Sequence, residues 1–192
     1  MLDLCLLLNG PPGVGKDTLA DALVLLGFDK YMFKQGLYKE TAEHFQVDVT
    51  ALIARATDRT LKEQPWDKLK LYGKTISPRH AIIHVSEDVI KLTHGKSYFG
   101  DLAAKECIKE KTSFAVFSDS GFREETVSLI NTFQKVIIVR LHRHGFDFSN
   151  DSRNYLRSFP HTYDLYLENN KQDEAVKRIQ QFIMLERLPW VA

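Results

Sequence analysis

Gly10-Pro11-Pro12-Gly13-Val14-Gly15-Lys16-Asp17-Thr18 lies between an apolar run, Leu2 to Leu8, and a segment of helical periodicity. The run is short, bounded by Asn9-Gly10, and predicts a buried strand. From Lys16 to Leu26 the residues Leu19, Ala20, Leu23, Val24 and Leu26 form an apolar stripe at helical spacing, with Gly27 as the stop. A strand, then Gly-x-x-x-x-Gly-Lys, then a helix is the setting in which backbone N–H groups close around phosphate oxygens. Glycine permits that approach because it has no side chain, and the helix start adds the positive end of its dipole. Lys16 is placed to reach between β- and γ-phosphates and to follow charge as it moves. The loop therefore predicts an ATP site lined by Gly10, Pro12, Gly13, Val14, Gly15, Lys16, Asp17 and Thr18. An ordinary glycine turn leaves Lys16 unexplained, and a dinucleotide-binding loop has no use for it.

One position departs from the usual loop. Asp17 stands where a Ser or Thr normally ligates magnesium, and Thr18 follows it. A carboxylate can hold Mg²⁺ directly or through water, since this ion prefers hard oxygen ligands. Thr18 offers a hydroxyl to the α-phosphate.

Outward from the loop, further apolar segments predict strands at Phe28–Phe33, Phe114–Phe117, Val136–Leu141 and Tyr163–Leu167. Helical patterns fill most of 37–110, interrupted at Pro65, Gly73 and Pro78. They return over Glu124–Phe133, with Val127, Ile130 and Phe133 on one side, and over Asp173–Leu185 through Val176, Ile179, Phe182 and Ile183. The polar stretch from His142 to Pro160 predicts a mobile loop. Strands alternating with helices imply an α/β fold with a central parallel sheet covered on both faces. No repeat divides the 192 residues, so one domain, 1–192, is expected.

Bulk composition narrows the class. With 26 basic and 25 acidic residues, nothing overall advertises nucleic acid, and any basic site must be local. Two cysteines, Cys5 in an apolar run and Cys107 in a helical one, fit small buried thiols in a reducing cytoplasm. No stretch approaches the ~20 apolar residues of a membrane span, and the start lacks the basic region of a signal peptide. A cytoplasmic protein with no membrane partner is expected.

With these residues in view, the chain resembles the bacteriophage deoxynucleoside monophosphate kinases and their P-loop relatives. The loop of that family also reads Gly-Lys-Asp-Thr, as Gly15 to Thr18 do here. Asp58-Arg59, Lys62-Glu63-Gln64-Pro65 and Ser77-Pro78-Arg79-His80 are similar to its substrate-side segment, in which an Arg after Pro opens a helix. Ser118-Asp119, Phe122 and Glu125 are similar to its strand-end Asp, Phe and Glu. Asp164 to Asn170 is similar to its base-side strand and Asn. The family often has Arg two positions beyond the strand-end Asp, where this chain has Gly121, with Arg123 nearby. After Arg79 it often carries Gly-Thr-Asp and an Arg, where this chain has Ser86-Glu87-Asp88 and Lys91.

The resemblance implies a P-loop nucleotide-kinase fold with an acceptor-binding helical region about 34–110 and a lid about 142–160. It implies ATP and Mg²⁺ as cofactors and a deoxynucleoside monophosphate as acceptor, in the host cytoplasm if the source is viral. A homodimer is compatible with it. Lys16, Asp119, Arg79 and Arg143 are the expected catalytic residues. Lys34, Lys39, Arg79 and Asp119 are expected at the acceptor, Asp17 and Asp119 at the metal, and Arg140 and Asn169 with ATP. Read as residues alone, Asp119 also suits a helix cap, Arg79 a solvated helix start, and Lys34 and Lys39 an ordinary surface. Arg153 is a second lid candidate, Trp66 and Trp190 suit packing, and the seven histidines show no metal spacing. Two other functions stay open. One is a kinase acting on the hydroxyl of 5-hydroxymethyluracil in phage DNA, with the basic segment 55–79 on the backbone. The other is an ATP-binding regulator without catalysis.

Overall fold

The computed structural model describes residues 1–149, 151, 153–169 and 171–186. Asn170 and Trp190 lie outside them. In chain order the strands are β1 (Leu2–Asn9), β2 (Asp29–Tyr31), β3 (Trp66–Leu71), β4 (Lys74–Ile76), β5 (Phe114–Ser120), β6 (Phe133–His142) and β7 (Thr162–Tyr166). The α-helices are α1 (Lys16–Val24), α2 (Lys34–His44), α3 (Val49–Thr57), α4 (Pro78–His84), α5 (Lys91–His94), α6 (Tyr98–Glu110), α7 (Arg123–Ile130) and α8 (Gln172–Leu185). A π-helical stretch, Val85–Ile90, joins α4 to α5.

Five strands form one parallel sheet in the order β2-β5-β1-β6-β7. Side chains alternate across a strand, so β1 feeds two cores. Leu4, Leu6 and Leu8 pack with Leu19 and Leu23 of α1 and Ile179 and Ile183 of α8. Cys5 and Leu7 pack on the other face with Phe117, Ile138, Leu129 of α7 and Ala103, Ala104 and Cys107 of α6. This is the expected α/β architecture, a parallel sheet between helices. Among the described residues no helix is long and apolar enough to cross a membrane.

Three local expectations are corrected. The region 34–110 is not wholly helical: β3 and β4 form an antiparallel hairpin turning at Tyr72 and Gly73, both with positive φ. A register shift between Trp66 and Lys70 puts the buried residues Trp66 and Leu69 three apart, a spacing that imitates a helix. Next, α7 ends at Ile130 and Phe133 opens β6. Val127 and Ile130 face outward, while Glu125, Thr126, Ser128 and Leu129 are buried. Finally, the connection from β6 to β7 is tied down at its later part. Leu156 is 4% exposed, its N–H donates to Asn9 Oδ1 at 2.8 Å, and the Tyr155 hydroxyl donates to the Leu141 carbonyl at 2.9 Å.

Candidate functional site

β1 and β5 deliver their C-terminal ends side by side, and the chemistry-bearing residues gather there. Asn9 closes β1 and joins three segments, because its Nδ2 donates to the carbonyls of Ser120 and Asn154, each at 3.2 Å, while its Oδ1 receives Leu156 N–H. The loop that follows needs its glycines for two reasons. Gly13 and Gly15 have φ of 77° and 114°, a left-handed backbone costly for other residues. A Cβ on Gly10 would lie 2.9 Å from the Leu141 carbonyl oxygen. The amides of Gly13 and Gly15 donate to no backbone carbonyl among the described residues, so they remain available to an anion at the start of α1.

Lys16 is 8% exposed, and its ammonium donates to the carbonyls of Gly10 at 2.7 Å and Pro11 at 2.8 Å. Burial, helped by the nearby Arg153, lowers its pKa to about 8, against the opposing pull of Asp17, Asp151 and Asp119. Asp17 accepts the Ser118 hydroxyl at 2.7 Å and has Lys30 Nζ at 3.5 Å. Burial pushes its carboxyl up, but the Ser118 hydroxyl and the ammonium groups of Lys30 and Lys34 hold it below its ordinary value. An ionised Asp17 beside the Ser118 hydroxyl is a hard-oxygen pair next to the loop, a donor set that suits Mg²⁺. Glycines that exclude any side chain, two available amides and a buried ammonium likewise suit a polyphosphate.

Asp119, next to last in β5, has both carboxylate oxygens engaged at the start of α2: Phe33 N–H donates to Oδ1 at 2.9 Å and Lys34 N–H to Oδ2 at 3.1 Å. Burial raises its pKa; Lys34 and those two amides oppose the rise. Beyond it opens a cavity of about 340 Å³. Cations enter from several elements: Lys34 from α2, Lys62 before β3, Arg79 from α4, Lys91 from α5 and Arg153 from the β6–β7 connection. Phe33, Leu37, Ile82, Phe99 and Phe122 give it apolar walls. Ser77 caps α4 by accepting His80 N–H at 3.2 Å, and Pro78 at the first turn fixes the helix start that presents Arg79. Arg79 itself meets Glu63 at 3.4 Å.

The structure brings Lys34, Arg79, Asp119 and Arg153 to this one cavity. Lys39 is elsewhere, exposed and 3.8 Å from Glu106. Arg143 lines a second cavity, about 230 Å³, with Val14, Gly15, Thr18, Leu167 and Gln172, and it donates to Asn169 Oδ1. Arg140 lines neither; it makes a bidentate pair with Asp164 at 2.9 and 2.5 Å.

The contacts of several contributors could not be read from the sequence. Ser118 reaches Asp17 only across the β1–β5 pairing. Lys91 stands 4.7 Å over the Phe122 ring, a contact that requires the π-helical turn to aim it. Glu125 was visible in the family resemblance, but its burial was not.

No family model matches the chain, and no curated protein matches it either. Solved structures do. A sugar kinase from Janibacter sp. HTCC2649 is similar over 96% of this chain and 95% of its own, at 11% identity and a TM-score of 0.48. A dephospho-CoA kinase from Campylobacter jejuni is similar over 96% and 98%, at 10% identity and a TM-score of 0.47. A shikimate kinase from Bacteroides thetaiotaomicron is similar over 97% and 81%, at 14% identity and a TM-score of 0.33. Likeness at this level says nothing of substrate.

Proposed function

We propose that the chain is a P-loop kinase that moves the γ-phosphoryl group of ATP onto a phosphate-bearing acceptor, a deoxynucleoside monophosphate, giving the diphosphate. The observation that carries the reading is the 340 Å³ cavity beyond Asp119, where five cationic side chains converge on apolar walls from five different segments. Such a cavity suits an acceptor that is anionic at one end and flat and apolar at the other. Asp119, Asp151 and Arg153 of its lining lie within electrostatic reach of Lys16, which supports a donor and an acceptor on either side of that ammonium group.

In this reading Lys16 exchanges its loop carbonyls for phosphate oxygens and stabilises charge moving between them. Mg²⁺, when bound, neutralises phosphate charge, and Asp17 and the Ser118 hydroxyl are the residues that would hold it; Asp119 would meet its water shell. Arg79 and Lys34 orient the acceptor, and Arg153 faces the transfer point. Arg143 and Thr18 line the side of the loop where the rest of ATP would lie, and Asn169 accepts a hydrogen bond from Arg143. A phosphate acceptor is already a nucleophile, so orientation and charge suffice without a general base.

A second reading, a hydroxyl acceptor within DNA, draws on the β3–β4 hairpin. Lys68, Lys70 and Lys74 stand outside the cavity there and pair with no carboxylate among the described residues. A screen with labelled ATP and Mg²⁺ against free nucleotides and modified DNA, run beside Lys16→Ala, decides between them. Label in free deoxynucleoside diphosphate, lost in Lys16→Ala, supports the first reading. Label only in DNA defeats it.

A further inference from the structure

The acceptor cavity contains one group that an anion site should not tolerate. Glu125, on the first turn of α7, is 6% exposed and lines the cavity, and its carboxyl, which makes no hydrogen bond to any described residue, opens onto that cavity and is not sealed in the core. It cannot withdraw from that place. Gly100 of α6 presses on its backbone so closely that a Cβ there would lie 2.6 Å from the Glu125 Cα and carbonyl oxygen. Around it stand Asp119 of β5, Lys91 of α5, Arg153 of the β6–β7 connection and its neighbour Glu124. Lys34, Lys62, Arg79 and Asp151 share the same cavity. On the facing turn of α6, Asp101 is engaged by the hydroxyls of Ser97 and Ser128.

A buried carboxylate without donors, beside a second carboxylate, would repel a phosphate. A neutral carboxyl in the same place does the opposite, because it has one O–H to donate. We propose that Glu125 contacts the acceptor directly as a neutral carboxyl, donating its O–H to an oxygen of the anionic group, so that acceptor binding and Glu125 ionisation exclude each other. The inference rests on the reading of this cavity as the acceptor site. It gives the site a bound proton as well as cations, and it makes Glu125 a determinant of which anions enter. Burial, reinforced by Asp119 and opposed by Lys91 and Arg153, raises this carboxyl to about 8, so the neutral form prevails at pH 7.

The experiment uses inorganic phosphate as the probe. A non-hydrolysable ATP analogue is titrated first with Mg²⁺, on its own; phosphate then goes calorimetrically into the Mg²⁺-free whole chain and into Glu125→Gln, each saturated with the analogue, at pH 7 and pH 9, since the ion would offset the Asp119 charge that helps raise Glu125. Glutamine keeps a donor and cannot ionise. With a pKa of about 8, the carboxylate outnumbers the acid about tenfold at pH 9. The wild type should therefore bind phosphate about tenfold more weakly at pH 9 than at pH 7 beyond whatever loss Glu125→Gln shows. It should also take up about one proton at pH 9 that Glu125→Gln does not, read from two buffers of different ionisation heat. Lys16 and phosphate itself titrate in both proteins, so the difference reports Glu125 alone. An equal pH loss in both proteins overturns the proposal. So does a Glu125→Gln protein that binds phosphate more than about tenfold more weakly at pH 7, since the carboxylate would then be the required form. The first titration, with the ATP analogue, reports separately on the loop: its failure counts against the kinase reading, while the phosphate difference still decides Glu125.

Discussion

The side chain of Arg153 lies across Gly121, where a Cβ would stand 2.6 Å from Arg153 Cδ, 2.8 Å from Cγ and 2.9 Å from Cβ. Gly121 has no left-handed φ, so its lack of a side chain answers to space and not to backbone conformation. The guanidinium is held by Asp151 at 2.9 and 2.6 Å and reaches the Asp119 carbonyl at 3.5 Å. A cation from the distant β6–β7 connection thus lies against the loop that follows β5.

Two substitutions test this pairing. Arg153→Ala should lower turnover by about 10²- to 10³-fold, the range for loss of a cation at a transferring phosphoryl group. Gly121→Val should displace the stem and lower turnover at least about tenfold while the affinity for a non-hydrolysable ATP analogue changes less than about threefold. Steady-state kinetics beside nucleotide titration checks both. Full activity in Gly121→Val would remove Arg153 from the transfer point.

Asn9 is a structural tie whose loss should be read in stability. It is fully buried and engages Ser120, Asn154 and Leu156 at once. Asn9→Leu leaves those backbone groups without partners and should cost about 2–4 kcal/mol in chemical denaturation. A loss below about 0.5 kcal/mol would mean that the connection is held by Leu156 packing alone.

Ionisation of Lys16 sets a limit at alkaline pH. Its folded-state pKa is about 8, below that of an ordinary lysine, so the ammonium form is complete below that value and is lost as pH rises through it. The kcat/KM for ATP should fall about tenfold per pH unit above 8 in the free enzyme. A flat profile to pH 10 would place Lys16 outside nucleotide binding.

Glu125 has the opposite consequence for folding. Its pKa is raised from 4.5 to about 8, so the folded chain holds a proton that the unfolded chain releases at neutral pH. Stability contributed by this group is full below about pH 4.5 and is lost as pH rises through 8. Glu125→Gln should therefore stabilise the protein at pH 7, by on the order of 2–3 kcal/mol, and by little at pH 4. Denaturant melts at both pH values check it; equal changes at the two would contradict the sign.

Much of this was legible before any coordinates. The glycine loop, its strand and its helix could be read because the turn is local: nine consecutive residues carry it. Arg79, Lys34 and Asp119 were named from the sequence, and all three line one cavity. What could not be read depends on distant pairing or on packing. Arg153 meets Gly121 across 31 intervening positions, and Ser118 meets Asp17 only because β5 lies beside β1. Trp66 and Leu69 read as a helix because a bulge shifts a strand's period. α7 read with the wrong face inward because its buried side is polar, Glu125, Thr126 and Ser128, and hydrophobic periodicity is blind to that.

The glycine turn after β1 as the seat of a triphosphate is most directly tested by following backbone amide resonances while a Mg²⁺-bound, non-hydrolysable ATP analogue is added. The largest shifts are expected at Gly13, Gly15, Lys16, Asp17 and Thr18, with saturation lost in Lys16→Ala. Saturable shifts that leave residues 10–18 unmoved and cluster elsewhere would contradict it.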